Sequence, residues 1–331
     1  MQATGKHDLT VSIVIPVYNG ARYLEALVES LKRQTLSGFE VVMVNDGSSD
    51  DTAQRLDALA TETLPFSLRV IHRENGGVSV ARNTGLRAAR GKYVCFVDAD
   101  DEISTDYLEV LYNTLQATGS RVAVANITRE RTDLQCCEKP EIREYTSTDF
   151  LREFLYRGIR FHVCACMFDR RCFTEKELHF PDGFRYSEDV YVMWQIFAAE
   201  QTIAEVKRKV YYYYDNPHSA MNKGIDIRRM DAIRLMQKLE GILARLAPEF
   251  SPEFNRYAVA RHHWSILWQA ATMLGTYKAF REYCSHFEMR RELKKLLRYP
   301  EARISMSSAV YVVSPFFYYH LLRLFVGVRK M

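Results

Sequence analysis

An alternation in the first hundred residues constrains this chain more than any other feature. Val11-Ser-Ile-Val-Ile15, Glu40-Val-Val-Met-Val44, Leu68-Arg-Val-Ile71 and Tyr93-Val-Cys-Phe-Val97 are short runs rich in β-branched residues, and longer amphipathic stretches follow them at 21–34, 51–61, 78–90 and 105–117. Short apolar runs bounded by turn residues predict buried strands, and the longer stretches predict helices. Strand and helix in repeated alternation predict a parallel sheet, because each helix carries the chain back to start the next strand in the same direction. Helices then cover both faces of the sheet. Ligands of such sheets bind in the crevice beyond the carboxyl ends of the strands. The residues that follow each strand are therefore the place to look for chemistry.

Those residues are Pro16-Val-Tyr-Asn-Gly20, Asn45-Asp-Gly-Ser-Ser-Asp50, His72-Arg-Glu-Asn-Gly-Gly77 and Asp98-Ala-Asp-Asp101. Turns and helix caps account for much of the Asn, Gly and Ser. They do not account for three carboxylates in four residues, since crowded like charges repel unless a cation offsets them. Asp98 and Asp100 can approach a hard divalent ion, Mg²⁺ or Mn²⁺, directly or through water, and such an ion would sit on phosphates. The first turn lacks the G-x-G-x-x-G of a dinucleotide fold, and no G-x-x-x-x-G-K-[ST] is present. A nucleotide would then be held by metal and side chains rather than by a glycine cradle. Asp46 can accept from the ring N–H of a base such as uracil, Tyr18 can stack beside it, and Arg82 can pair with phosphate oxygens.

Four segments taken together, Val11-Ser-Ile-Val-Ile-Pro-Val-Tyr-Asn19, Val44-Asn-Asp-Gly-Ser-Ser-Asp-Asp-Thr52, Asn75-Gly-Gly-Val-Ser-Val-Ala-Arg-Asn-Thr-Gly85 and Phe96-Val-Asp-Ala-Asp-Asp101, resemble the family 2 glycosyltransferases. These are inverting enzymes of the GT-A fold, so the resemblance implies an α/β, Rossmann-like nucleotide-diphospho-sugar transferase domain. It also implies a nucleotide-sugar donor, expected to be a UDP-sugar, a divalent cation, and a hydroxyl acceptor on a glycan or a lipid-linked carrier in surface polysaccharide synthesis. By the same resemblance Pro16, Tyr18, Asn19, Asp46, Asn75 and Arg82 line the nucleoside and diphosphate. Asp100 becomes the main metal ligand, with Asp98 reaching the ion through water.

Inversion needs a base for the acceptor's proton on the face opposite the leaving group. The segment Phe180-Pro-Asp-Gly-Phe-Arg-Tyr-Ser-Glu-Asp-Val190 resembles the family's E-D motif, which makes Asp189 the general base and Glu188 its neighbour. Helix capping by Ser187, with acids in a first turn of a helix over 188–199, reads the same residues structurally. Asp182 is a second candidate base. The tyrosine-rich run 210–214 and the residues after it resemble a segment that precedes a loop over the donor diphosphate, with His218 as a further metal or phosphate contact. Phe161, Phe184, Tyr186 and Trp194 are candidate platforms for sugar rings. Two competing readings remain. A nucleotidyltransferase would carry a Gly- and basic-rich loop where Pro16–Gly20 stands, and a non-catalytic nucleotide-sugar-binding scaffold would have no need of Glu188-Asp189.

The whole-chain charge of +4, from 45 Lys and Arg against 41 Asp and Glu, does not point to a nucleic-acid partner. Divided near Gly224 it becomes informative, because residues 226–331 hold 18 basic against 9 acidic side chains and the first 225 hold 27 against 32. The expected organisation is a catalytic domain over 1–225, with its nucleotide-sugar half in 1–117 and its acceptor half in 118–225, followed by a basic helical region over 226–331. Apolar stripes predict helices near 230–246, 254–274 and 277–298, and an aromatic tail over 309–328 is broken at Pro315. That tail and its basic neighbours suit either internal packing or an anionic membrane surface. The seven cysteines lack zinc-ligand spacing, although Cys164 and Cys166 could share one face of a strand, and the first ten residues carry no apolar leader. A cytoplasmic protein, peripheral on the inner face of the membrane at most, is the expectation.

Overall fold

The computed structural model describes residues 9–135, 140–156, 162–216 and 225–328. They fall into two compact units: one from 1–150, 160–184 and 192–216, the other from 151–159, 185–191 and 217–331.

The first unit holds the whole sheet: β1 (Val11–Val17), β2 (Phe39–Asp46), β3 (Ser67–Arg73), β4 (Tyr93–Phe96), β5 (Glu102–Ile103), β6 (Val122–Thr128), β7 (Glu141–Thr146), β8 (Cys166–Asp169) and β9 (Thr202–Tyr212). The strand order is β3-β2-β1-β4-β8-β6-β9-β5, with β7 paired to β9. The four strands expected from the alternation are all parallel neighbours, with Val11 opposite Phe39 and Tyr93, and Glu40 opposite Ser67. Beyond β4 the sheet is mixed. There β8 runs antiparallel to both β4 and β6, β9 is parallel to β6, and β5 and β7 are antiparallel to β9. No short-period alternation in the sequence announces that half.

Helices α1 (Leu24–Lys32), α2 (Thr52–Ala60), α3 (Val78–Ala88) and α4 (Tyr107–Thr118) lie inside the expected stretches to within a residue. The α4 helix stops at Gly119, whose left-handed φ of 71° lets its N–H close back on the Leu115 carbonyl. Helix α3 lies so close to β1 that a Cβ at Gly85 would come within 2.3 Å of Val14 Cγ1. The core beneath the site is aromatic. Phe96 at the end of β4 meets Phe168, Phe173 and Phe180 with ring centroids 5.1–6.5 Å apart. The short helix α6 (Arg171–Thr174) belongs to this unit, while α5 (Ser147–Tyr156) and α7 (Glu188–Ala199) give residues to both units.

The second unit is helical: α8 (Met230–Leu246), α9 (Ser251–Met273), α10 (Tyr277–Ser285), α11 (Met289–Lys295), α12 (Ala302–Val313) and α13 (Pro315–Val328). The stripe of α8 is buried at Ile233, Leu235, Leu239 and Leu243, but Leu246 is exposed. The single helix expected over 277–298 breaks after Ser285, and the buried Phe287 sits in the connection. Pro315 does part α12 from α13. Ser314 is extended, and Pro315 opens the next helix, where a missing N–H costs nothing.

The expected cut after residue 225 differs from the observed division after 216, and two earlier segments also join the helical unit. Arg152 Nε and Tyr156 Oη each donate to the Glu253 carboxylate at 2.8 Å, and Tyr299 Oη donates to the Leu155 carbonyl at 2.6 Å. The Arg185 N–H donates to Asp231, and the Arg229 guanidinium lies over the Tyr186 ring. Among the described residues no helix is long and apolar enough to cross a membrane.

Candidate active site

The carboxyl ends of β1, β2 and β3 are tied to one another by side chains reaching across the turns. Asn19, at a positive φ of 49°, accepts from the Ser49 N–H at 2.8 Å while its own N–H donates to Ser48 Oγ. Asp46 ends β2 opposite Arg73 at the end of β3, and this register brings the guanidinium onto its buried carboxylate. The same carboxylate accepts from the N–H groups of Gly76 and Gly77, at 3.1 and 2.8 Å. Asn75 Nδ2 donates to the Asp46 carbonyl, and Gly47 between them has φ of 68° with no room for a Cβ, which would come 2.6 Å from the Asn75 nitrogen. Pro16 lies within β1 and Tyr18 just beyond it, its ring 56% exposed and open to stack on a planar ligand.

Arg82 projects from α3, is buried, and donates to Asp98 Oδ1 at 2.9 Å with its guanidinium over the Phe180 ring. Burial alone would raise the Asp98 carboxyl, but Arg82, followed by His162, outweighs it and holds the group below its ordinary value. Among the described residues no guanidinium is paired with Asp100, and Arg22 acts on it only through its charge. Burial raises its carboxyl, the Asn216 amide hydrogen-bonded to Oδ2 at 2.8 Å counteracts part of this, and the Asp98 charge adds to the rise. Asp101, more deeply placed, is pushed up to about 8, by burial first and then by Asp98. Its oxygens accept from Tyr211 Oη at 2.6 Å and from the Tyr214 N–H at 2.8 Å, while Tyr211 Oη accepts from the Asp98 N–H. The run of acids is thus anchored to the end of β9.

That donor set fits a hard divalent cation. Three carboxylates crowd one turn, and burial and the Asp98 charge push the other two toward the neutral form, a cost that a bound cation would reverse. A carboxylate oxygen of Asp98, a ring nitrogen of His162 and Cys164 Sγ also lie within 4.8 Å of one another. Burial, then Asp98, pushes the Cys164 thiol well above its ordinary range, which disfavours the thiolate that a metal would need. Cys166 does not join it, since its Sγ donates to the His162 carbonyl.

The remaining expected residues divide between the units. Asp182 is exposed in the first unit, where Asn83 Nδ2 approaches it at 3.5 Å and both ends of the Asn83 amide clamp the Phe180 backbone at 2.8 Å. Glu188 and Asp189 belong to the second unit, in the first turn of α7, where Glu188 is buried and Asp189 Oδ1 accepts from the Val190 N–H. Ser187 precedes them at a left-handed φ of 65° rather than the extended backbone usual for an N-cap. Tyr186 and Trp194 are buried and form core rather than sugar platforms. His218 and Phe161 lie outside the described residues. Arg73, Asn83, Tyr211 and Asn216 were given no role from sequence, and Asp101 was counted only among the three crowded carboxylates. Arg73 had a visible signal, its position directly after the third strand.

The family model for glycosyl transferase family 2 matches residues 12–176. The uncharacterized glycosyltransferase EpsJ of Bacillus subtilis is 31% identical over 215 residues, 63% of this chain and 62% of EpsJ, so the match leaves over a third of that relative uncovered. The uncharacterized glycosyltransferase YibD of Escherichia coli is 30% identical over 281 residues, covering 80% of each chain. Among solved structures, Staphylococcus aureus TarS 1-349 in complex with UDP-GlcNAc superposes with a TM-score of 0.62 at 19% identity, covering 91% of both chains. The mannosyltransferase PcManGT of Pyrobaculum calidifontis, in complex with GDP-Man and Mn²⁺, gives a TM-score of 0.55 at 18% identity over 97% of this chain and 84% of that one. With the sheet order, the turn chemistry and a likeness to YibD over 80% of each chain in agreement, the chain belongs to the family 2 glycosyltransferases, on a GT-A fold with a helical region after it.

Proposed function

We propose that the chain transfers a sugar, with inversion, from a UDP-sugar to a hydroxyl of a glycan or lipid-linked acceptor. The observation that carries this reading is the shared edge of β1 to β4, where an exposed Tyr18, the Asp46–Arg73–Gly76–Gly77 knot, and the Arg82–Asp98 pair beside Asp100 meet. Tyr18 stacks on the base, and Asp46 and Asn75 hold the polar edge of the nucleoside. Arg82 keeps Asp98 charged and oriented. Mg²⁺ or Mn²⁺ at Asp100, with Asp98 through water, would supply positive charge against the leaving diphosphate. Asp189 takes the proton of the acceptor hydroxyl as its oxygen bonds to the anomeric carbon, and the bond from that carbon to the diphosphate breaks with its electron pair on the diphosphate. The UDP-GlcNAc complex of TarS and the GDP-Man and Mn²⁺ complex of PcManGT support a nucleotide-sugar donor and a divalent ion for this fold.

The donor is tested by thermal unfolding with UDP or GDP, each with and without MnCl₂. UDP with Mn²⁺ is expected to stabilise the chain by about 2.7 kcal/mol at a hundredfold excess over Kd. Equal stabilisation by GDP refutes the uracil preference. The base is tested by Asp189→Asn, expected to lower transfer by about 10²–10⁴-fold with UDP binding kept. Retained transfer moves the role to Asp182.

A further inference from the structure

Helices α12 and α13 bury one side and leave the other apolar and open. In α13 the inward residues are Tyr318, Tyr319 and Leu322, all buried, with Tyr319 Oη donating to the Leu274 carbonyl at 2.9 Å. On the outer side Phe317, Leu321, Leu324 and Phe325 recur at i, i+4, i+7 and i+8, which is one stripe of a helix. Phe317, Leu324 and Phe325 are 67, 67 and 66% exposed, and α12 adds Met306 and Val313 at 69 and 81%. Hydrophobic side chains scattered singly on a surface are ordinary, whereas a contiguous stripe marks a site of contact.

Charge selects the partner. Residues 302–331 contain Arg303, Arg323, Arg329 and Lys330 and no acidic residue. Just before them, 290–298 hold five basic side chains and a single acid, Glu292, which is buried and paired with Lys295 at 2.7 Å. A second copy docked through the same face would set these positive charges against their own images, because a two-fold contact pairs like surface with like. A surface of lipid phosphates supplies the opposite sign. The 14 residues of α13 extend about 21 Å at 1.5 Å each, short of the roughly 30 Å of a bilayer's hydrocarbon core. The helix therefore suits the plane of the interface and not a crossing.

We propose that α12 and α13 dock this chain on an anionic lipid bilayer, with Phe317, Leu321, Leu324 and Phe325 entering the headgroup boundary and the basic residues meeting the lipid phosphates. The surface stands independently of the proposed transfer reaction, and its test reads no turnover.

The test is flotation of the full chain with vesicles of phosphatidylcholine alone or with about 30 mol% phosphatidylglycerol. Recovery with the anionic vesicles is expected to exceed that with neutral ones about tenfold and to fall as NaCl rises from about 0.1 to 0.5 M. Phe317→Ser with Leu321→Ser and Phe325→Ser should remain unbound while keeping the wild-type thermal midpoint. Reversing charge at the exposed Arg290, Lys294 and Arg298 with Arg290→Glu, Lys294→Glu and Arg298→Glu should also abolish anionic recovery, and it checks the proposal should the serine variant fail to fold. Equal recovery on neutral and anionic vesicles, or no loss in a folded variant of either kind, overturns the proposal. So does a dimer in sedimentation equilibrium that the serine variant dissolves while the wild type ignores vesicles, since the face would then belong to a second copy.

Discussion

The carboxyl edge of the sheet and the outer face of α12 and α13 handle unfavourable groups in opposite ways. At the sheet edge charged groups are taken out of water, and each is held by named partners: Asp46 by Arg73 and two backbone N–H groups, Asp98 by Arg82, and Asp101 by Tyr211 and the Tyr214 N–H. On α12 and α13 the apolar stripe of Phe317, Leu324 and Phe325 is left about two-thirds in water. The first arrangement is preorganised, since its cost is met during folding and the site waits for its ligand in place. The second defers its stabilisation to an encounter. Substitutions at the edge should therefore act on catalysis and stability, and substitutions on the tail on binding alone.

Among substitutions at the sheet edge, Asp100→Asn should produce the largest effect. Removing the acid that the Asn216 amide holds beside the Arg82–Asp98 pair is expected to lower transfer by about 10²–10³-fold. The thermal midpoint should hold or rise, because burial and the Asp98 charge both oppose the native carboxylate. A large fall in stability with retained turnover would break the contrast. Next is Arg73→Ala, which leaves the buried Asp46 carboxylate with backbone partners only. A loss of about 1–3 kcal/mol in denaturant unfolding is expected, along with weaker UDP binding in calorimetry.

The second unit also hides a titratable group, and it sharpens the comparison through pH. Burial holds the His263 imidazole below its ordinary 6.5, although its Nδ1–H donates to the Val259 carbonyl at 2.9 Å and Glu292 and Glu288 pull the other way against Lys295. The folded chain therefore favours the neutral ring. This contribution is full above pH 6.5 and declines as pH falls through 6.5 toward the lower folded value, because the unfolded chain takes up the proton first. From about pH 7.5 to 5.5 His263 pulls the thermal midpoint down while the raised Asp101 carboxyl, protonated first in the folded chain, pulls it up. His263→Gln should remove the downward part, and a pH dependence unchanged by that substitution would dismiss His263. Leu324→Ser is expected to have the smallest effect, within about 0.5 kcal/mol of wild type by denaturant unfolding, since the residue is 67% exposed. A larger loss would mean that the stripe is packed after all.

Legibility from sequence followed the range of the interactions. Strands β1 to β4, helices α1 to α4 and the acids after β4 were readable because each is announced by a run of neighbouring residues. The antiparallel part of the sheet was not, since β8 is short and lies between β4 and β6 through pairings of distant residues such as Tyr93 with Asp169 and Val122 with Phe168. The Arg73–Asp46 contact depends on register between β2 and β3, and the Tyr211–Asp101 bond joins residues 110 positions apart. Neither contact is announced by a local pattern. The break near Phe287 was hidden because amphipathic periodicity continues across it, while the buried ring turns the chain.

By itself the sequence determined the strand–helix alternation, the four turn segments that carry the family's chemistry, the basic character of 226–331 and the helix break at Pro315. These depend on local propensity and on side chains within a few positions of one another. Only the tertiary structure decided which acid keeps a guanidinium and which does not, which residues brace the turn of acids, where the compact units divide, and which apolar residues of the tail remain in water. Each of those outcomes depends on burial and pairing between distant segments, and a linear pattern cannot encode desolvation or contact until the chain has folded.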